Sequence, residues 1–131
     1  MVDAPNWGHD IPNSLMAARE YFKAANPGTF FRIFSPANQM ITLLAFVVCW
    51  GAGKQVRIYC GLALLLAVTT DVMTFAFFYP RNDIMFVAPI TDLDLVRNAW
   101  SEWTRVNWIR SAVCLGNLSF DLAALLKVAK G

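Results

Sequence analysis

The stretch WSEWTRVNWIRSAVCLGNLSFD, residues 100–121, decides the fold. Its aromatic and polar residues recur at alternating spacings of three and four, which places them on one face of a continuous helix. This stripe comprises Trp100, Trp103, Asn107, Arg110, Cys114, Asn117 and Asp121. Most other positions from Trp108 to Val128 are apolar. The pattern therefore predicts a hydrophobic helix with one polar face that carries both a cation and an anion.

The composition is typical of a membrane protein. Of the 131 residues, 57% are hydrophobic and 15% are charged, whereas soluble domains average about 45–50% apolar and about 25% charged residues. The length suits a single domain. The net charge is only +2, and no basic patch is interleaved with aromatic residues. These features exclude nucleic-acid binding and favour membrane lipids as the surroundings of the chain.

Three apolar segments predict an all-α membrane protein with three transmembrane helices, over residues 33–52, 56–80 and 106–128. Such a helix needs about 20 residues to cross a bilayer. The sequence Gly51-Ala52-Gly53 predicts the turn between the first two helices. Tyr79-Pro80 predicts the end of the second, because proline disfavours helix at the residue before it.

Two segments are predicted to lie outside the membrane, residues 1–32 and 81–105. In the first, Asn13 or Ser14 is placed to cap a short amphipathic helix over 15–25, which ends at Asn26-Pro27. In the second, Thr91 is placed to cap the last helix. That helix would be roughly 50 Å long, so its beginning should project from a hydrocarbon core of about 30 Å.

Charge predicts the orientation of the chain. The turn between the first two spans carries Lys54 and Arg57 and no acidic residue. The C-terminus carries Lys127 and Lys130, and no acidic residue follows Asp121. In the N-terminal segment and in 81–105, basic residues are offset by acidic ones. The positive-inside rule therefore places the turn and the C-terminus in the cytoplasm, and the N-terminus and 81–105 on the opposite side.

Ionisable residues inside the spans are the candidate catalytic groups. Asp71 lies near the middle of the second span, and Arg110 and Asp121 lie in the third with Asn107. Charged groups in a bilayer usually pair with one another or face a functional site, so we expect an aspartate here either to pair with Arg110, with Asp71 as the favoured partner, or to carry a proton. Simple helix packing is the alternative, favoured for Asn117. Trp and Phe side chains are predicted to form the walls of the site: Trp100, Trp103, Phe75 and Phe78.

Cysteine and histidine usage predicts neither a metal site nor a cofactor. The three cysteines lie in apolar runs without a CxxC pair, which favours small buried side chains over a disulfide or a metal site. His9 is the only histidine. A single histidine excludes bis-histidine haem ligation and most catalytic zinc sites.

Two motifs resemble the anthrone-oxygenase-like family of small membrane proteins. One is Tyr79-Pro80-Arg81-Asn82-Asp83 at the exit of the second span, and the other is Trp103 followed by Asn107-Trp108-Ile109-Arg110. The stretch Ala24–Gln39, with Asn26-Pro27 and Phe30-Phe31, is similar to the middle of that family. The resemblance implies a four-helix bundle and the site residues Asn82, Trp103, Asn107 and Arg110. The family pattern has one more transmembrane helix at its start, so either the gene start is misplaced, the helix is absent or a partner supplies it, and in the last two cases we expect a homo-oligomer or a partner subunit.

Two functions remain open, and the resemblance implies the first of them. The first is cofactor-free oxidation of a flat, hydrophobic aromatic molecule, as in the characterised fungal members. A carboxylate, Asp71 or Asp121, would ionise the substrate, and Arg110 with Asn107 would stabilise the enolate or phenolate that forms. The second is a non-catalytic membrane subunit or a module that binds lipid or quinone, in which the buried charges only hold helices together.

Overall fold

All regular structure is helical in the computed structural model, which describes residues 3–24 and 27–130. Two short helices come first, α1 (Asp3–Gly8) and α2 (Asn13–Ala24). The remainder forms α3 (Pro27–Val48), α4 (Lys54–Met73), α5 (Tyr79–Asn82) and α6 (Leu93–Ala129). The predicted all-α class is therefore confirmed for these residues.

Three helical stretches are long and apolar enough to cross a membrane: Arg32–Gly51, Lys54–Val87 and Leu93–Ala129. Many of their large apolar side chains are exposed, including Met40, Leu65 and Leu118. Lipid covers such side chains in a bilayer. The predicted integral membrane location is confirmed. The last helix, at about 55 Å, exceeds the roughly 30 Å hydrocarbon core, so part of it projects.

The second stretch lies between the other two. Helix α4 packs against both α3 and α6, whereas contacts between α3 and α6 are sparse. Small residues of α4 are buried, among them Ala63 and Ala67, and Leu66 lies 3.2 Å from where a Cβ on Gly116 of α6 would sit. Small residues let membrane helices approach closely. The long helices therefore form a row with α4 in the middle.

The second stretch continues through Pro80. The segments Thr74–Phe78 and Asp83–Val87 on either side of α5 are π-helical, and the helix ends only at Val87. Proline lacks an N–H group and its ring collides with the carbonyl four residues earlier. The wider π turns accommodate both effects. The predicted helix end at Tyr79 is therefore wrong, and the connection to α6 shrinks to residues 88–92.

Single residues determine where α4 and α6 begin. Gly53 precedes α4 with a φ of +107°, a backbone conformation that glycine adopts without steric cost, and the predicted turn is confirmed. The Asp92 carboxylate accepts hydrogen bonds from the N–H groups of Asp94 and Leu95 at 2.9 and 3.0 Å. Asp92, and not Thr91 as predicted, is thus the N-cap, a position that aspartate fills at least as well as threonine.

Helices α1 and α2 form an N-terminal hairpin, residues 3–24. Helix α2 confirms the predicted short helix, although Ala25 and Asn26 lie outside the described residues; α1 was not predicted. Neither predicted cap residue acts as a cap: the Ser14 hydroxyl donates to the Trp7 carbonyl, and the Asn13 amide donates to Asp10. Both side chains instead fix the link between the two helices.

The N-terminal hairpin packs across the second π segment and the beginning of α6. Leu15, Met85, Val96 and Ala99 form a buried core at this junction. The Arg19 guanidinium donates to the carbonyls of Met85 and Ala88 at 2.9 and 2.8 Å. These are carbonyl groups at the end of a helix, which have no partner within the helix. The hairpin therefore caps the end of the second long helix.

Candidate functional site

Arg110 lies between α6 and the first π segment. Its Nη2 donates to Asn107 Oδ1 at 2.7 Å, a contact that follows from their spacing of three on one helix. The guanidinium carbon lies 4.1 Å from the centre of the Phe78 ring. Arg110 is half-buried and Asn107 is buried. A cation over an aromatic face is stabilised by the electrons of the ring.

The predicted ion pair between Arg110 and an aspartate does not form. Within residues 3–24 and 27–130, ion pairs join Lys23 to Glu20, Arg81 to Glu102 and Arg97 to Asp94, and none includes Arg110. The Asp71 carboxylate instead accepts hydrogen bonds from Ser35 and Gln39 of α3. The prediction of this ion pair was wrong because the spacing of the polar residues shows which of them share a face of α6, but not which face of α4 packs against that face.

Trp103 joins α6 to α5 and to the first π segment. Its indole Nε1 donates to Asn82 Oδ1 at 2.9 Å. Its ring meets Phe78 edge to face with the centroids 5.5 Å apart. Phe78 is only 1% exposed, so it is enclosed between Trp103 and Arg110. We call these five neighbouring residues the Arg110 cluster: Phe78, Asn82, Trp103, Asn107 and Arg110.

A neighbouring ion pair fixes the register of the Arg110 cluster. Arg81 donates to one Glu102 carboxylate oxygen at 2.8 Å from Nε and 2.6 Å from Nη2. Its guanidinium carbon also lies 3.5 Å from the centre of the Phe77 ring. Arg81 and Glu102 directly precede Asn82 and Trp103 in the chain. Consecutive residues of the two helices are thus joined by two polar contacts, which orient the π-helical segment against α6.

Aromatic side chains of the N-terminal hairpin cover the outer side of Trp103. The Trp7 ring centroid lies 5.4 Å from that of Trp103 and 5.1 Å from that of Phe86. Phe22 completes the group at 5.2 Å from Phe86. Such edge-to-face pairs are favourable beyond their buried area. Sequence reasoning missed Trp7, because no periodicity links the hairpin to α6.

The two candidate carboxylates lie at two other places. Asp121 follows Arg110 by eleven residues on α6, which is about 16 Å along a helix, and it is half-buried. Asp71 faces α3, where Ser35 and Gln39 hold it. Sequence reasoning missed Ser35 and Gln39 as partners of Asp71, although two polar residues four apart in an apolar span could have indicated them.

Two predicted wall residues lie outside the Arg110 cluster. Trp100 donates from Nε1 to the Ala4 carbonyl at 2.8 Å and thereby holds α1 against α6. Phe75 is 62% exposed and contacts the ring of Tyr79. Asn117 donates to the Ala63 carbonyl at 2.7 Å, a contact of the helix-packing kind predicted for it.

The Arg110 cluster combines one cation, two amides and two aromatic rings. Guanidinium and amide N–H groups donate hydrogen bonds to anionic oxygen, and the half-buried Trp103 offers flat apolar surface. In the part of the chain that the structure describes, no group of three or more His, Cys, Asp or Glu side chains is placed to hold a metal ion. The cluster is chemically suited to negative charge on a flat aromatic molecule.

The fold and the cluster define a small helical membrane protein with a polar cluster between two of its candidate spans. The family model described as anthrone oxygenase matches residues 30–119. This match covers more than half of the chain, which therefore belongs to the anthrone oxygenase family, as its motifs predicted. No curated protein and no solved structure matches it. The matched range includes every residue of the Arg110 cluster.

Proposed function

We propose that the protein binds a flat, hydrophobic, weakly acidic aromatic molecule beside Arg110 and oxidises it with dioxygen. One observation carries the proposal. Arg110 is a half-buried cation in a membrane span that rests on Phe78 and Asn107, and no carboxylate within the described ranges neutralises it. The family description, anthrone oxygenase, supplies the reaction class.

Arg110 favours the ionised form of such a substrate. An oxygen that gains negative charge when the substrate loses a proton would accept hydrogen bonds from the guanidinium. Hydrogen bonds to a charged group contribute about 1.5–3 kcal/mol. Asn107 holds the guanidinium in position before the substrate arrives, and such preorganisation is the main source of electrostatic catalysis. The half-buried Trp103 supplies apolar surface for the rings, and the buried Phe78 supports the guanidinium.

Asp71 is our proposed proton acceptor. It precedes Phe78 by seven residues, which is roughly 10 Å along a helix, and a molecule of three fused rings spans a comparable length. Asp121 lies about 16 Å from Arg110 along α6, on the side of Arg110 away from Trp103. The Asp71 carboxylate already accepts two hydrogen bonds, so it can take a proton only as one of these contacts loosens.

The reaction balances without an external reductant. Loss of a proton from a CH₂ group between two aromatic rings leaves a carbanion, which reduces dioxygen and combines with it to form a hydroperoxide. The hydroperoxide then eliminates water and becomes a ketone. One oxygen atom of dioxygen enters the product and the other leaves as water.

Dioxygen uptake with anthrone as the probe tests the proposal. The protein is reconstituted in lipid nanodiscs, and empty nanodiscs give the background rate. We expect equimolar dioxygen consumption and anthraquinone formation. Arg110→Met should lower the rate roughly 10–100-fold, since it removes one charge-assisted hydrogen bond, whereas Arg105→Met, a change at an exposed arginine of the same helix, should keep it. Uptake equal to that of empty nanodiscs overturns the proposal.

A non-catalytic subunit or a module that binds lipid or quinone is the second candidate. The observation that favours it is the row of helices, in which α3 and α6 each contact α4 but make few contacts with one another. Such an arrangement leaves faces for a partner or a second copy. Under this function Asp71→Asn and Arg110→Met would each disrupt assembly. Under the enzymatic function both variants fold and only turnover is lost.

A further inference from the structure

We propose that the turn between α3 and α4, together with the end of α6, binds the headgroup of an anionic phospholipid. Three cations form the binding surface, Lys54, Arg57 and Lys127, and we call them the basic surface. It lies at the opposite end of the long helices from the N-terminal hairpin. The proposal is independent of the proposed function, because none of these residues belongs to the Arg110 cluster.

The packing of α4 against α6 brings the three cations to one end of the molecule. The two helices run in opposite directions, since the Asn117 amide donates to the Ala63 carbonyl at 2.7 Å and Val56 shares a buried cluster with Ala124. One further turn of each helix carries the cations. The first turn of α4 and the last turn of α6 therefore lie side by side.

The basic surface forms no ion pair in the described part of the chain. Within residues 3–24 and 27–130, the ion pairs join residues of α2, of α5 and of the first part of α6, all toward the other end. Asp121 is the nearest acidic residue of α6, and it precedes Lys127 by six residues, which is about 9 Å along a helix. Lys130 adds a further cation. The positive charge of this surface is thus left for an anion from outside the chain.

Apolar side chains beside the cations suit the acyl chains of a lipid. The Arg57 guanidinium carbon lies 5.0 Å from the centre of the Trp50 ring, and this ring is more than half exposed. Tryptophan is enriched at the level of the lipid headgroups. Ile58 and Leu125, within one turn of the cations, are also exposed. A soluble anion would use the charge alone, whereas a phospholipid uses the cations and the apolar side chains together.

Electron spin resonance of labelled lipids tests the proposal. The protein is reconstituted in phosphatidylcholine vesicles with spin-labelled phosphatidylglycerol or spin-labelled phosphatidylcholine, and the spectra give the relative association of the two lipids with the protein. At low salt we expect a preference of roughly fivefold or more for phosphatidylglycerol, the effect of one cation beside an anionic headgroup. Salt should weaken this preference by screening. Equal association of the two lipids at low salt would overturn the proposal.

Neutralisation of the basic surface should remove the preference. We expect the triple variant Lys54→Gln, Arg57→Gln, Lys127→Gln to associate with both lipids about equally, while circular dichroism reports that its helices are retained. An undiminished preference in this variant would refute the assignment to these residues. The measurement on the wild-type protein remains decisive even where the variant fails to fold.

A second triple variant separates the basic surface from overall charge. Lys23→Gln, Arg97→Gln, Arg105→Gln removes the same net charge at exposed residues toward the other end, where exposed ion pairs contribute little to stability. This variant should keep the preference for phosphatidylglycerol. An equal loss in both triple variants would show that net charge selects the lipid, and the proposal would fail.

A soluble headgroup separates a lipid site from a general anion site. Glycerol phosphate carries the anion of phosphatidylglycerol without its acyl chains, so it should leave the association of the labelled lipid unchanged when ionic strength is held constant. Displacement of the labelled lipid by glycerol phosphate would overturn the commitment to a phospholipid.

Discussion

Arg110 and Asn107 owe their contact to helix periodicity, and Phe78 owes its place below the guanidinium to the π-helical segment. The first relation could be predicted from sequence, because residues three apart on a helix are neighbours. The second could not, because a π turn shifts every later side chain around the helix axis. The sequence therefore predicted the cation, its amide and Phe78 as a wall of the site, but not that the guanidinium rests on the Phe78 ring.

Asp71 of α4 shows the same limit of prediction from sequence. Its polarity within an apolar span marked it for a polar partner, and polar partners are present in Ser35 and Gln39. Which neighbouring helix supplies them depends on how α4 is rotated between α3 and α6. Periodicity fixes the face of one helix, while rotation between helices depends on packing.

Trp103→Phe should destabilise the protein while it keeps most of the aromatic contact with Phe78 and Trp7. The change removes the indole N–H, so the Asn82 Oδ1 that it now meets at 2.9 Å loses its partner. An unsatisfied buried polar group costs about 1–3 kcal/mol, and the half-buried Asn82 belongs at the lower end of this range. The midpoint of thermal unfolding in nanodiscs should therefore fall. Trp50→Phe, at an exposed tryptophan, is the matched control, and an equal fall in both variants would contradict the role of the Asn82 contact.

Among the helices, α6 was the most predictable and the second long helix the least. Alternating spacings of three and four ran unbroken along α6, and it is a single helix over Leu93–Ala129. Pro80 suggested a helix end, yet the chain passes it with two π segments. The packing of α6 and of the N-terminal hairpin around this region, including the Arg81–Glu102 and Arg19 contacts, outweighs the local cost of the proline.

Gly8→Ala should separate α1 from α6. A Cβ on Gly8 would lie 2.1 Å from Cε2 and Cζ2 of Trp100, so the indole must move and its hydrogen bond to the Ala4 carbonyl is lost. Overpacking of this kind costs about 1–3 kcal/mol. Hydrogen exchange should rise in α1 and α2. Gly51→Ala is the control, because nothing lies within 4 Å of its added Cβ; unchanged exchange in both variants would refute the close contact.

The molecule as a whole has three candidate spans and a hairpin that covers one end. The N-terminal hairpin packs on the second π segment and on the start of α6. These two segments and the hairpin therefore lie at the same end of the long helices. The number of spans and their class were predictable, since hydropathy and length determine them. The hairpin contacts were not, because they join residues far apart in sequence through side chains without a periodic pattern.

Orientation is a prediction of the whole chain. The positive-inside rule places Lys54 and Arg57 in the cytoplasm and the N-terminal hairpin on the other side. In a variant without native cysteines, His9→Cys should react with a membrane-impermeant maleimide in intact cells. Gln55→Cys, in the turn region beside Lys54, should react only after the membrane is permeabilised. The reverse pattern of labelling would show that the orientation is inverted.

The central claim is that Arg110 gives a membrane-embedded site a preference for an anionic, flat aromatic molecule. The most direct measurement is the pair of dissociation constants for anthracene carboxylate and the uncharged anthracene methanol in nanodiscs. We predict that the wild-type protein prefers the carboxylate by roughly 10-fold or more, the value of one charge-assisted hydrogen bond. Arg110→Met should abolish the preference and Arg105→Met should keep it. An undiminished preference in Arg110→Met would contradict the account.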